Sequence, residues 1–310
     1  MGFTYPAPAP TVEGDIVKIH QTLGTPGVLA RRLRTLLDQK FISDALLTQR
    51  FKATNGGFFY ETGEEIFAGE DARIIAAGAE YPLLALGDGK VAAAKTDKWG
   101  LGTRIMDERI AQMGMPYLNK GLTKLANQTV KTVDSVAMSV VNSAITATSQ
   151  TTSKWAAATA EQIFTDVALA AAKVNDLDEG FVVDTIVVDT ISWTTAMAKF
   201  VAAGYTPRES TQDNPALTGQ FPVIGGLKWL ASPRAFAGTG LLYDSTQLGG
   251  MADQDLYSPG YVSASGPKTA GVQVSSERLP GVDGYELHSR RVTVPVVTEP
   301  RAGIKLPGVR

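Results

Sequence analysis

The chain has 310 residues, of which 44% are hydrophobic, and a net charge of −2 at pH 7. This length and composition allow a substantial core, in one large domain or two smaller ones, and the charge balance gives no general basic signature for nucleic acid. The absence of cysteine excludes disulfides and thiolate metal sites. No run approaches the roughly 18 apolar residues that span a membrane, and the start lacks a secretion signal, so we expect a soluble intracellular protein with no membrane partner.

Residues 1–51 are predicted to form an N-terminal arm that contains a short helix. Three prolines hold its first part extended: Pro6, Pro8 and Pro10. The helix is predicted at 27–39, where the sequence GVLARRLRTLLDQ places apolar residues on one side. Three arginines make this helix locally basic: Arg31, Arg32 and Arg34.

Residues 52–82 are predicted to form a long, glycine-rich hairpin or loop. Turn signals at 55–57 and 62–63 flank a strand-favouring aromatic run: Phe58, Phe59 and Tyr60. Acidic residues outnumber basic ones here, and four of them, called the loop acids below, are Glu64, Glu65, Glu70 and Asp71. An extended hairpin alone in water is marginally stable. The segment therefore predicts contact with a partner protein.

The segment 104–145 carries the clearest helical period. Apolar or small residues recur every three or four positions on one narrow face: Leu118, Leu122, Leu125, Thr129, Val133, Val136 and Val140. The opposite face is polar: Lys120, Lys124, Asn127, Lys131, Asp134 and Asn142. One helix over 107–143 would be about 55 Å long. We expect a spine helix that lies across a flat surface such as a sheet.

The three lysines of that polar face (Lys120, Lys124 and Lys131, the lysine row) leave two interpretations open. They form either a solvated helix face or a sequence-independent contact to the phosphates of nucleic acid. Further along the chain, the pattern predicts a helix at 156–173, a buried strand at 186–188 and a second helix at 192–203.

Residues that carry chemistry are scarce. No phosphate-binding loop, HExxH motif or nucleophile elbow is present. We interpret Asp189, at the end of the buried strand, as a helix cap rather than a catalytic acid. His288 lies in a predicted strand, where a solvated or salt-bridged histidine is the favoured interpretation. We expect no catalytic residue, no cofactor and no metal ion, and the alternative from another class is a soluble α/β enzyme that uses one of these two residues.

The order of the segments resembles a known family. GGFFYETGEEIFA, AGAEYP, GDGKVAAAK and RIMDERI lead into the long helix, and SERLPGVDGYELHSRRVTVPVVTEPRAGIKL closes the chain. They resemble the major capsid protein of tailed bacteriophages with the Hong Kong 97-type shell fold, most closely the versions from phages of actinobacteria. The resemblance implies an α+β fold and a structural protein without catalysis. It also implies assembly as hexamers and pentamers into an icosahedral shell that encloses double-stranded DNA.

The resemblance divides the chain into an N-terminal arm (1–51), an extended loop (52–82), a peripheral domain with the spine helix (83–155), an axial domain (156–266) and the return strands of the peripheral domain (267–310). Residues 1–40 would clasp an adjacent subunit. The three arginines of the arm helix, the aromatic run and the loop acids would make intersubunit contacts. The lysine row would face packaged DNA.

The family's archetype begins with a cleaved scaffolding segment. Here the extended loop begins near Lys52, so we expect a separate scaffolding protein if one is used. The other partners that the resemblance implies are a portal protein and a decoration protein, with assembly in the bacterial host cytoplasm and a final place in the virion capsid. An encapsulin-like compartment that holds a protein cargo is the alternative within the same fold.

Overall fold

The computed structural model describes residues 15–37, 41–63, 74–75, 80–81, 89–204, 223–263 and 271–310. The chain divides into two compact units. The first unit comprises Met1–Phe41, Thr96–Val133 and Asp253–Thr293, and the second comprises Ile42–Lys95, Asp134–Ala252 and Val294–Arg310. None of the described helices is long and apolar enough to cross a membrane.

Seven α-helices lie in the described residues: α1 (Asp15–Leu23), α2 (Pro26–Leu37), α3 (Ile42–Leu46), α4 (Asp107–Met113), α5 (Met115–Ala144), α6 (Ala160–Asn175) and α7 (Thr190–Ala202). The strands of the same residues are β1 (Gln49–Lys52), β2 (Gly57–Thr62), β3 (Lys90–Lys95), β4 (Asp97–Met106), β5 (Thr185–Val188), β6 (Val223–Ile224), β7 (Leu227–Ala231), β8 (Thr239–Tyr243), β9 (Gly249–Asp253), β10 (Tyr261–Ser263), β11 (Val272–Leu279), β12 (Gly284–Val297) and β13 (Gly303–Pro307).

In the first unit, β12 is the central strand of an antiparallel sheet. β11 pairs with one of its edges and β4 with the other, and β10 pairs with β11. The register of β4 is continuous, from Asp97 opposite Thr293 to Met106 opposite Gly284. One face of this sheet is the apolar core of the unit, where Ile105, Val274 and Leu287 are buried.

Helices α1 and α2 cover that apolar face. Ile19, Leu23, Leu29 and Leu33 are fully buried, and α2 packs on β10 and β11. The hydroxyl of Ser276 donates to the carbonyl of Leu23 at 2.6 Å. The resemblance predicts that residues 1–40 clasp an adjacent subunit, and that contact stays a prediction, but residues 15–37 already bury their apolar side within their own chain. The apolar side of these helices finds a complementary surface on the sheet of its own chain.

The second unit contains a five-stranded sheet in the order β13-β8-β5-β7-β6. Its central strand β5 is buried at every position, as the β-branched run predicts, and pairs parallel to β7 and antiparallel to β8. Helices α6 and α7 contribute to a core that includes Trp155, Trp229 and Phe200. The last strand, β13, pairs with β8, so the end of the chain belongs to this sheet.

The extended loop begins and ends in a two-stranded sheet. β2 and β3 pair antiparallel, from Gly57 opposite Lys95 to Thr62 opposite Lys90. The strand that pairs with β2 therefore begins beyond residue 82, where the sequence analysis ended the loop. The hairpin base packs on Ala53, Ala252 and Val296 of the second unit.

The predicted spine helix is present but differs in two respects. It is interrupted at Gly114, which has φ 62° and ends α4, so α5 begins at Met115 and spans 30 residues. A positive φ of this kind favours glycine and stops a helix. The buried face of α5 is also wider than predicted. It contains the predicted positions from Leu118 to Val133, and also Ala126, Val130, Ala137, Met138 and Val141.

Asp134 departs from the predicted pattern of this helix. The helical period predicts it on the polar face, but it is fully buried. Its Oδ1 accepts hydrogen bonds from the backbone N–H (3.1 Å) and the hydroxyl (2.9 Å) of Ser43, and its Oδ2 lies 3.7 Å from Nη1 of Arg234. Burial raises the pKa of Asp134, against the opposing effect of the Ser43 hydrogen bonds.

Candidate intersubunit and DNA-facing surfaces

The two candidate catalytic residues both have structural partners. Asp189 is the N-cap of α7, where its carboxylate accepts from the backbone N–H of Ser192 at 3.3 Å and from the hydroxyl of the same residue. The helix-cap interpretation is confirmed. His288 Nε2 lies 3.1 Å from Glu286 Oε1, and its Nδ1 lies 3.5 Å from the hydroxyl of Ser275. Among the described residues, no cluster of histidine and acidic side chains could hold a metal ion.

The two arginines that follow Ser289, close to His288, are buried inside the first unit and do not form an exposed basic surface. Arg291 is fully buried, and its guanidinium contacts both carboxylate oxygens of Asp253, at 3.0 and 3.1 Å. Arg290 is also buried; it donates to Gln273 Oε1 at 2.8 Å and stacks 3.7 Å from the ring centre of Tyr261. Their charges are thus neutralised or shielded within the first unit.

The aromatic run divides between the two faces of the β2–β3 hairpin. Phe58 and Tyr60 point to one face, where Phe58 stacks on Phe51 with ring centres 4.7 Å apart. Phe59 points to the other face and is 77% exposed, as is Val91 at 71%. This alternation follows from the two-residue period of a strand. Two of the three aromatic residues therefore contact their own chain.

We call the face with Phe59 and Val91 the outer face of the hairpin. The sequence alone does not indicate Val91 as a surface residue, because the segment KVAAAK lies beyond the predicted end of the loop. The signal that identifies it is the register, which places Val91 opposite Glu61 and Ala93 opposite Phe59. These two exposed apolar residues lie on the same face of the hairpin, where a partner can cover both at once.

The arm arginines occupy different environments on α2. Arg31 is exposed, whereas Arg32 is partly buried and contacts the sulfur of Met115 at 3.8 Å. The side chain of Arg34 lies outside the described residues, and so do all four loop acids. Contacts between the loop acids and these arginines stay a prediction.

The lysine row lies on one exposed strip of α5. Lys120, Lys124 and Lys131 are all exposed, while Leu118, Leu122 and Leu125 are buried on the opposite side. The spacing of four and seven residues aligns three positive charges along the helix. Such a strip can contact a phosphate backbone without reading its sequence.

Comparison with known proteins identifies the family. A profile of the phage capsid protein family matches residues 90–306, well over half of the chain. The chain belongs to the phage capsid protein family. This match covers most of both compact units, and it favours the capsid hypothesis over the enzyme hypothesis, because the family is structural.

Solved structures are similar to this capsid protein in fold. The capsid of cyanophage P-SCSP1u aligns with a TM-score of 0.58 at 12% identity, covering 85% of this chain and 86% of that chain. The capsid of Myoviridae phage XM1 aligns with a TM-score of 0.55 at 12% identity, covering 87% and 91%. The SrpI encapsulin of Synechococcus elongatus PCC 7942 aligns with a TM-score of 0.54 at 11% identity, covering 88% of each. No curated protein sequence matches the chain.

These similarities confirm the α+β, Hong Kong 97-like capsid fold that the segment order predicts. Together with the family match they make the chain a major capsid protein, a structural protein of the virion capsid.

Proposed function

We propose that this capsid protein assembles as hexamers and pentamers of an icosahedral shell that encloses double-stranded phage DNA, with the outer face of the hairpin as a principal contact between subunits. The observation that carries the proposal is the exposure of Phe59 and Val91 on one face of the two-stranded sheet of β2 and β3. Burying an exposed phenylalanine contributes roughly 1.5–3 kcal/mol at each contact, and a shell repeats the contact in every subunit.

The matched variants Phe59→Ser and Phe58→Ser test this proposal. Phe59→Ser removes an exposed side chain, so we expect the free energy of unfolding of the isolated subunit to change by less than about 0.5 kcal/mol, while the yield of closed particles falls. Phe58→Ser removes a packed, stacked ring, so we expect it to destabilise the subunit itself. Normal particle yield from a soluble, folded Phe59→Ser chain would refute a contact role for the outer face.

The loop acids and the arm arginines are proposed as a second intersubunit contact. Each exposed pair contributes about 0–1 kcal/mol, and the contribution is repeated across the lattice. We expect the charge reversal Glu64→Lys with Glu65→Lys to lower particle yield, and Arg31→Glu with Arg32→Glu in the same chain to restore part of it. Unchanged yield with the first pair, or no restoration by the second, would contradict this contact.

The remaining roles follow from the family resemblance and are part of the proposal. The arm, extended loop, peripheral domain and axial domain keep the order given above, but β3 belongs with the extended loop and β13 with the five-stranded sheet that contains β5 and β8. The lysine row faces packaged DNA. A separate scaffolding protein, a portal protein and a decoration protein are the proposed partners, and assembly takes place in the bacterial host cytoplasm. Closeness to capsid proteins from phages of actinobacteria rests on the order of the segments and is tested by sequence comparison with capsid genes of that group.

An encapsulin-like compartment is the second candidate, because the encapsulin fold aligns nearly as well as the phage capsids. The two differ in their contents. Nuclease treatment of purified particles followed by extraction of protected DNA supports the virus, whereas one stoichiometric protein cargo without DNA supports the compartment.

A further inference from the structure

Strand β4 presents a long free edge. It spans ten residues, Asp97–Met106, and pairs with β12 along its whole length. No other strand among the described residues pairs with β4. Natural proteins often protect such an edge with a proline, with a bulge or by keeping the strand short. Strand β4 uses none of these three, because it is long, its register is continuous and it contains no proline.

The register identifies which backbone groups of β4 face the free edge. The N–H of Asp107, just after β4, donates to the carbonyl of Asp283 at 2.9 Å and so points toward β12. Alternate residues of an antiparallel strand direct their N–H and C=O groups to opposite edges. The residues whose groups face outward, called the outward set below, are therefore Lys98, Gly100, Gly102, Arg104 and Met106.

The middle of the edge is open, and an apolar side chain lies there. Gly100 and Gly102 are exposed, and the three atoms nearest to a Cβ at either position all belong to residues 287–290 of β12. Glycine within a strand often marks a place where another backbone approaches closely. Between the two glycines, Leu101 is 44% exposed. A strand that added to this edge would cover Leu101 as well as the unpaired backbone.

The sequence around Leu101 is nearly symmetric. A glycine lies on each side of it, and the next outward-facing position on each side is basic: Lys98 and Arg104. Such symmetry is what two copies of one strand need to pair about a two-fold axis, because each residue then lies opposite the residue at the mirrored position. With Leu101 at the centre, Gly100 lies opposite Gly102. Both glycines belong to the outward set, so their N–H and C=O groups can pair directly.

We propose that β4 pairs antiparallel with β4 of a second copy of this chain, about a two-fold axis at Leu101. The two Leu101 side chains cover each other, and Trp99 lies opposite Thr103, an aromatic and β-branched pair of the kind that stabilises sheets. The inference deepens the proposed function, on which it rests, by naming a contact between subunits other than the outer face of the hairpin.

One pair in this register is unfavourable, and it lies at each end of the contact. Lys98 of one copy is opposite Arg104 of the other. However, Nε of Arg104 lies 3.3 Å from Oε2 of Glu286, so an acidic group already offsets its charge. Lys98 is exposed, and its long side chain can hold the ammonium group in water away from the pair. The repulsion is therefore weak and leaves the apolar centre intact.

Disulfide trapping tests the proposal, because the natural chain has no cysteine. In the proposed register the two Leu101 positions form a non-hydrogen-bonded pair, whose Cβ atoms are about 5 Å apart and close enough for a disulfide after a small adjustment. The variant Leu101→Cys is assembled into particles, oxidised and separated on a non-reducing gel. The matched control is Val282→Cys, at a position of similar exposure (47%) in the same unit.

We expect at least about tenfold more disulfide-linked dimer from Leu101→Cys than from the control, because only residues at the two-fold axis meet their own copies. A second pair of variants asks whether the backbone makes the contact. Added to Leu101→Cys, Gly100→Pro removes an outward N–H and keeps the strand extended, as an edge strand tolerates. Gly100→Ala keeps that N–H. The proline variant should lower the dimer to the control level, and the alanine variant should retain it.

Two results would overturn the proposal. Particles of Leu101→Cys with no more linked dimer than Val282→Cys would mean that another strand, or none, covers the edge. Linked dimer that persists in full with Gly100→Pro would mean that the two strands are near each other but not paired through their backbones. Failure of the proposed function is distinguishable from both, because the natural chain would then form no particles and Leu101→Cys no linked dimer.

Discussion

Asp134 provides the sharpest test of the reasoning that links sequence, burial and stability. The carboxylate is fully buried and accepts two hydrogen bonds from Ser43, 91 residues away in the sequence. Asp134→Ala leaves a buried backbone N–H and a buried hydroxyl without an acceptor. Each unsatisfied donor costs about 1–3 kcal/mol, and rotation of the hydroxyl relieves part of this cost. We therefore expect the free energy of unfolding to fall by about 2–4 kcal/mol.

Asp134→Asn separates hydrogen bonding from charge. The amide keeps a carbonyl oxygen as acceptor for Ser43 and removes the cost of burying a charge. We therefore expect the free energy of unfolding to change by no more than about 1 kcal/mol. The charged Asp134 has a raised pKa in the folded state because of burial. The folded state therefore binds more protons than the unfolded state, and stability falls as pH rises from the unfolded value of 3.8 through the folded pKa. Relative to Asp134→Asn, the natural chain should be more stable at pH 4 than at pH 7.

Urea unfolding of dissociated subunits measures these changes, with the fluorescence of the buried Trp155 and Trp229 as the signal. Lys131→Ala, on the exposed side of the same helix, is the control and should change stability by less than about 0.5 kcal/mol. The reasoning is refuted if Asp134→Ala is no more destabilising than this control, or if the natural chain gains stability relative to Asp134→Asn as pH rises.

Three further predictions concern other parts of the molecule. The hydrogen bond from Arg278 holds the pKa of Asp107 below its usual value, so Asp107→Asn should lower stability at pH 7, and this difference should disappear as pH falls below 3.8 through the folded pKa in acid titration of both chains. Gly249→Ala places a Cβ against the backbone carbonyl oxygen of Val296, so we expect the free energy of unfolding to fall by more than about 3 kcal/mol in thermal or urea unfolding, or no folded chain at all. Changing the lysine row to glutamine should leave particle yield unchanged and lower the DNA content per particle, and the exposed Lys228→Gln serves as its control.

The sequence predicts the elements whose signals are local. The β-branched run of β5 and the capping side chain of Asp189 each act within a few residues, and both are where the pattern places them. The long amphipathic helix is also predictable, but its break at Gly114 is not, because an isolated glycine in a helical segment does not by itself end the helix.

The features that sequence reasoning missed depend on partners distant in the chain. Burial of Asp134 requires Ser43 and Arg234, and no periodicity contains that information. The packing of α1 and α2 on their own sheet, and the pairing of β2 with β3, likewise depend on long-range contacts. For the candidate surfaces, the composition of the loop indicated an interaction, but only the strand register distinguishes exposed Phe59 from packed Phe58.

Electron microscopy of the purified chain, expressed alone and together with the scaffolding protein from the same genome, tests the central claim most directly. The account predicts closed icosahedral particles built of hexamers and pentamers, with the outer face of each hairpin covered by another subunit. A chain that stays a monomer or dimer under both conditions would contradict it, as would particles in which Phe59 stays exposed to solvent.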